Sequence, residues 1–263
     1  MAGAPAIDSV AIPAGFHAAD APWGRVLVCA PLAAVARHAF TLRDLDLHAD
    51  RNGSQRRWDA VAAWLGARPP LRRARQVHGT AVVHALGEAP ASPPDGDIVV
   101  AADHGLGVAV QVADCVPLLL ADARSGAVAA AHAGWRGTAA GVAARAVAAL
   151  REFAGTDPAD VVAAIGPCIG PCCYEVGDEV REAFARERGG IADAWFAPGA
   201  DGRWQLDLWA ANRDQLRSAG IADGRVHLAR LCTMTGSASF FSYRAEGAAA
   251  GRMCGAIRAG GPA

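Results

Sequence analysis

The chain has 263 residues, 52% hydrophobic and 19% charged, which is enough apolar content for a packed core and too much for a disordered chain. Its 25 basic and 26 acidic residues give a formal net charge of -1, so no global field draws it to nucleic acid or to an anionic membrane. Every basic residue is arginine, which excludes a P-loop lysine, a pyridoxal Schiff base and a lysine nucleophile.

In chain order, residues 25–30 (RVLVCA) and 37–42 read as short strands. Residues 55–65 (QRRWDAVAAWL) have helical spacing, with Trp58, Val61, Ala62 and Leu65 on one face, and residues 66–70 end that helix. Residues 71–77 are a candidate strand leading to His78, and residues 90–96 form a Pro-rich turn. Four short apolar runs follow, at 97–101, 107–113, 116–121 and 127–132, separated by turn residues. Residues 138–153 read as one long Ala-rich helix with Thr138 as N-cap. Residues 161–165 are a strand, 177–188 a helix, 207–219 a helix capped by Asp207, and 225–231 a strand. About a quarter of the chain is alanine, which suits close packing of helices. The irregular interleaving predicts an α+β fold, a single domain over residues 1–263 of packed mixed β-sheets flanked by helices.

The first basic residue is Arg25, so the N-terminus lacks the charged region of a signal peptide. The longest apolar runs stop at Asp114 and Asp122, well short of the ~20 residues that span a bilayer. The expected location is cytoplasmic. The sequence does not fix the oligomeric state and leaves a monomer open. The seven cysteines are Cys29, Cys115, Cys168, Cys172, Cys173, Cys232 and Cys254. An odd count in a long chain of this type argues for buried thiols, ligands or nucleophiles over a disulfide framework.

Three segments combine a metal-ligand residue with the end of an apolar run: Gln76-Val77-His78-Gly79, Ala113-Asp114-Cys115-Val116-Pro117, and Ala131-His132-Ala133-Gly134-Trp135-Arg136-Gly137. His78, Cys115 and His132 make a reasonable zinc set, and three protein ligands leave the fourth position open for chemistry. Asp114, beside the cysteine, is placed to orient a ligand or a water. The plainer alternative is two hydrogen-bonded histidines and a small core thiol, because the three positions lie far apart in sequence. Arg43, Arg136 and Arg244 are the candidate anion holders, since arginine forks match phosphate geometry. In residues 240–244 (FFSYR) the aromatics beside Arg244 suit a planar base, or else form a core strand. Residues 166–173 (GPCIGPCC) lack the zinc-deaminase spacing. They are expected to be a rigid turn shaping a pocket, with no second metal, because the adjacent side chains of Cys172 and Cys173 should diverge.

Taken together and in this order, QVHG, ADCVPLL, AHAGWRG, GPCIGPCCYEVG and FFSYR…GR resemble the motifs of the YfiH or laccase-domain family, within a motif-bearing region of about residues 37–254. Members of that family are described as purine nucleoside phosphorylases and formerly bore the name polyphenol oxidases. The resemblance implies Zn2+ on His78, Cys115 and His132; Cys115 and the neighbouring Asp114 are the candidate catalytic residues. It also implies phosphorolysis of adenosine, inosine, guanosine and methylthioadenosine by inorganic phosphate, together with adenosine deamination. Two segments depart from the family pattern, Thr41-Leu42-Arg43-Asp44 and Tyr243-Arg244-Ala245-Glu246, both where substrate is expected. Two rivals stand beside this reading. One is a copper polyphenol oxidase, disfavoured by eight histidines without an H-x-H pair and only three methionines. The other is a hydrolase editing peptidoglycan precursors, with Cys115 as nucleophile.

Overall fold

The computed structural model describes Ile7, residues 11–48 and residues 53–261. Two six-stranded sheets dominate. From edge to edge the first runs Phe16–Ala21 (β1), Gly24–Cys29 (β2), His38–Thr41 (β3), Met253–Arg258 (β15), Leu106–Val112 (β7) and Arg68–Arg72 (β4). The second runs Val226–Leu228 (β14), Val161–Ile165 (β10), Val116–Asp122 (β8), Val128–Ala133 (β9), Ile98–Ala101 (β6) and Val82–His84 (β5). Glu175–Val176 (β11), Trp204–Leu206 (β13) and Phe196–Pro198 (β12) form a small third sheet. Both large sheets are mixed, with parallel pairing at β4–β7, β5–β6 and β10–β14.

The two-residue period of a strand decides which core each side chain joins. In the first sheet Leu27, Phe40, Val108, Val110 and Ile257 face the second sheet, where Val99, Leu119, Ala130 and Val162 meet them. The alternate residues Val26, Val28, Ala39, Ala109 and Ala256 pack on the helix Ser54–Leu65 (α2). On the second sheet Ile98, Leu118, Leu120, Ala131 and Ala163 face Trp135–Ala140 (α3), Val142–Ala154 (α4), Asp178–Arg188 (α5) and Leu208–Ser218 (α6). The layers are therefore helix, sheet, sheet, helices. A turn of helix, Ala30–Ala33 (α1), precedes β3, and another, Tyr243–Glu246 (α7), precedes β15. The chain thus takes the expected mixed architecture. Among the described residues no helix is long and apolar enough to cross a membrane.

Several elements match the sequence reading closely. The buried face of α2 is Trp58, Val61, Ala62 and Leu65, and Asp207 caps α6 by accepting from the Ala210 N–H at 3.0 Å. Others differ. Thr138 does not start a helix. The helix begins at Trp135, and Gly141 breaks it with φ 91°, a left-handed value that glycine adopts without strain. Thr138 is instead fully buried, and its hydroxyl accepts from Asn212 Nδ2 at 3.2 Å. The strand expected at 71–77 lies earlier, at Arg68–Arg72, where the two prolines are tolerated because β4 is a sheet edge. The strand expected at 225–231 stops at Leu228, and the chain turns at Arg230, which has φ 47°. Residues 240–244 form no strand: Phe240 and Phe241 are buried, and Ser242 caps α7 by accepting from the Ala245 N–H at 3.3 Å.

Candidate metal centre and active site

The QVHG segment hangs on the edge of β7 through Gln76. Its side chain imitates a strand, donating to the Gln111 carbonyl at 2.8 Å and accepting from the Gln111 N–H at 2.7 Å. This sets up the turn at His78, which has φ 61°. Asp97, fully buried at the head of β6, holds that turn. Its carboxylate accepts from the N–H groups of Val77, His78 and Gly79 at 3.2, 3.0 and 2.7 Å. The same carboxylate meets His132 Nδ1 at 2.8 Å. With Nδ1 engaged there, the other ring nitrogen of His132 is left as the ligand atom. One buried carboxylate therefore positions both histidines, whose rings sit edge to face at 4.8 Å. Burial works against the Asp97 charge, but the His132 contact and the backbone N–H groups hold its carboxyl below the usual range.

Cys115 enters from the β7–β8 turn, where Asp114 has φ 83°. The Asp114 carboxylate accepts from Thr233 Oγ1 at 2.5 Å and from the Arg244 N–H at 2.6 Å, which ties the turn to α7. The ligand atoms of His78, Cys115 and His132 all lie within 4.8 Å of one another. Space for them depends on Gly134, where a Cβ would stand 3.0 Å from His78 Cδ2 and 3.1 Å from Cys115 Sγ. Burial opposes the Cys115 thiolate, yet the His132 charge and hydrogen bonds from both histidines outweigh it and bring the thiol down to about 6. Burial also opposes the His132 imidazolium, and Cys115 and Asp97 overcome it, raising the ring to about 9. Two imidazoles and a thiolate, with a carboxylate behind one ring, fit a borderline-soft divalent metal with an open position.

The three side chains line a cavity of about 680 Å³, as do Asp114 and the guanidinium-bearing residues Arg75, Arg136, Arg244 and Arg252. Trp135, Tyr174 and Tyr243 supply aromatic surface. Arg244 lies over Tyr174, 5.2 Å from the ring centroid, and donates to the Glu175 carbonyl at 3.0 Å. Arg75 is paired with Asp95. Arg136 makes no hydrogen bond or ion pair among the described residues and lies 4.3 Å over Trp135, so its charge is uncommitted.

Of the candidates read from the sequence, the cavity gathers His78, Asp114, Cys115, His132, Arg136 and Arg244, but not Arg43. The Arg43 guanidinium forms a two-pronged pair with Glu246 at 2.7 and 2.9 Å and stacks on Phe241. The two segments that depart from the family pattern therefore bind each other. Asp97, Arg75, Arg252 and Tyr174 escaped the sequence reading. A lone carboxylate opening an apolar strand was the one legible sign of Asp97. Cys172 and Cys173 also differ from expectation. Their sulfurs do not diverge but lie 3.6 Å apart and converge with Cys232.

Layered mixed sheets bring two histidines and a cysteine together at an arginine- and aromatic-lined cavity, a donor set with the chemistry to hold a metal ion. The chain belongs to the family whose model is described as "Multi-copper polyphenol oxidoreductase laccase", which it matches over residues 35–260. It is 38% identical over 244 residues to a purine nucleoside phosphorylase of Deinococcus radiodurans, covering 88% of this chain and 91% of that one. It is 40% identical over 157 residues to "Adenosine deaminase RL5" from an unknown prokaryotic organism, covering 59% of each chain. The crystal structure of the Bacillus licheniformis hypothetical protein YfiH superposes with a TM-score of 0.84 at 29% identity, covering 94% of this chain and all of that one.

Proposed function

We propose that the protein is a zinc-dependent purine nucleoside phosphorylase that also deaminates adenosine. The observation that carries this is the convergence of His78, Cys115 and His132 on a cavity that also holds uncommitted positive charge and aromatic rings. The names of the relatives in Deinococcus radiodurans and of RL5 support both activities. When bound, zinc supplies Lewis-acid activation of a water for attack at C6 of adenine. Asp97 fixes the tautomer and direction of His132, and the Cys115 thiolate gives the set its negative charge. Asp114 faces the cavity with a carboxylate held by Thr233 and the Arg244 N–H, and is the group that handles protons at the reacting atoms. In phosphorolysis a phosphate oxygen forms a bond to C1′ as the bond to the purine nitrogen breaks, and the base leaves with that electron pair and takes up a proton. Arg136 and Arg244 hold the phosphate, and Trp135, Tyr174 and Tyr243 offer rings for the purine to stack on.

Adenosine, inosine, guanosine and methylthioadenosine are the substrates to test, each with and without phosphate, read by chromatography for free base, sugar phosphate and inosine. Phosphate-dependent release of base supports the proposal. Turnover of a phenol, with no nucleoside consumed, would overturn it in favour of the copper oxidase that the family description names.

A further inference from the structure

Outside the lining of the cavity lies a second group of ligand-bearing side chains. The sulfurs of Cys172, Cys173 and Cys232 all lie within 4.8 Å of one another, with Cys172 and Cys173 at 3.6 Å. The backbone builds this cluster. The Cys173 and Tyr174 N–H groups both donate to the Gly170 carbonyl at 3.0 Å, which winds the chain tightly through Pro171. A bridge between Cys168 and Cys232, closed by Thr233 N–H donating to the Cys168 carbonyl at 3.0 Å, lays the second segment alongside. The Gly170 N–H also donates to Cys232 Sγ at 3.3 Å, so the buried sulfur is held in place by backbone. Cys172 is exposed and Cys173 half-buried, which leaves the cluster open to solvent on one side.

The donor set is all sulfur, with no imidazole or carboxylate in the group. Such sets select soft d10 ions. Three sulfurs about 2.3 Å from one ion in a plane stand about 4 Å apart, close to the 3.6 Å between Cys172 and Cys173 and inside the 4.8 Å within which all three sulfurs lie. Structural zinc wants four protein ligands, whereas this group offers three, the number that suits monovalent copper.

We propose that Cys172, Cys173 and Cys232 form a second metal site, which binds one Cu(I) ion as a trithiolate. Binding replaces the thiol protons, which pass to solvent, and the ion stays Cu(I) throughout. The site staples the segment bearing Tyr174, which lies under Arg244, to the segment bearing Thr233, which holds Asp114. It does no chemistry on substrate.

The test is an anaerobic titration with Cu(I) against a chromophoric Cu(I) chelator, with wild type, Cys172→Ser and Cys232→Ser loaded with zinc, and with Cys115→Ala, which lacks a ligand of the histidine site, titrated without zinc. One tight equivalent is expected in wild type and in Cys115→Ala, weakened about tenfold or more in Cys172→Ser, where an exposed side chain is changed and folding is not at stake. X-ray absorption of the wild-type complex should show three sulfur ligands and no nitrogen. Equal affinity in wild type and Cys172→Ser would overturn the proposal. So would nitrogen in the copper shell, or loss of the tight equivalent in Cys115→Ala alone, because either would move the copper to the histidine site.

Discussion

The most consequential single residue is Asp97. Changing it to Asn keeps the shape but weakens the hold on His132 and on three backbone N–H groups. Zinc affinity should fall by about 10–100-fold in a protein that stays folded, measured by competition with a chelator. The titration of the metal-free pair sets the pH dependence. Between about 6 and 9 Cys115 is already a thiolate while His132 still carries its extra proton, so binding an ion expels one proton. Affinity should therefore rise about tenfold per pH unit across that window and more steeply below it, where Cys115 must also lose a proton. Calorimetry in buffers of different ionisation enthalpy counts those protons, and a pH-independent affinity from 6 to 9 contradicts the assignment. Among the arginines, Arg136→Gln should raise the KM for phosphate while leaving deamination near wild type, because water needs no anion holder. Arg43→Gln should not change the KM for phosphate, since Glu246 already occupies that guanidinium.

At the scale of elements, Gly134 joins β9 to α3 with little room to spare. Gly134→Ala should cost metal affinity without unfolding the protein, because the new methyl group would press on His78 and Cys115 and not on the core; elemental analysis after purification reads this directly. Elements whose information is local were legible in the sequence. The apolar stripe of α2, the Asp207 cap and the β10 run Val161–Ile165 all fall where spacing puts them. Elements that owe their form to distant contacts were not. β15 reads Met-Cys-Gly-Ala-Ile-Arg, with a glycine inside and no polar alternation, because it is buried on both faces between β3 and β7. Thr138 looked like a cap because a cap signal is short, whereas its true partner, Asn212, lies on another helix. For the site, His78, Cys115 and His132 could be singled out by type, but their convergence rested on resemblance to known motifs. No spacing rule links positions on two different turns and a strand.

The whole molecule depends on a strand near its C-terminal end. β15 lies between β3 and β7, and its side chains enter both the core shared by the sheets and the core under α2. A chain cut after Arg252 should lose the first sheet entirely and give no cooperative thermal transition, whereas the cavity's polar substitutions should shift the Tm little. The site is also an index of assembly. Asp97 reaches His132 only because β6 and β9 pair with Ile98 opposite Ala131. A slip of one residue would turn the side chains of that strand to the opposite faces and carry the carboxylate away from the imidazole. Under the proposed metal assignment, capture of the ion requires the correct register of the second sheet, and the metal content of a preparation should track the fraction of chains that closed that pairing.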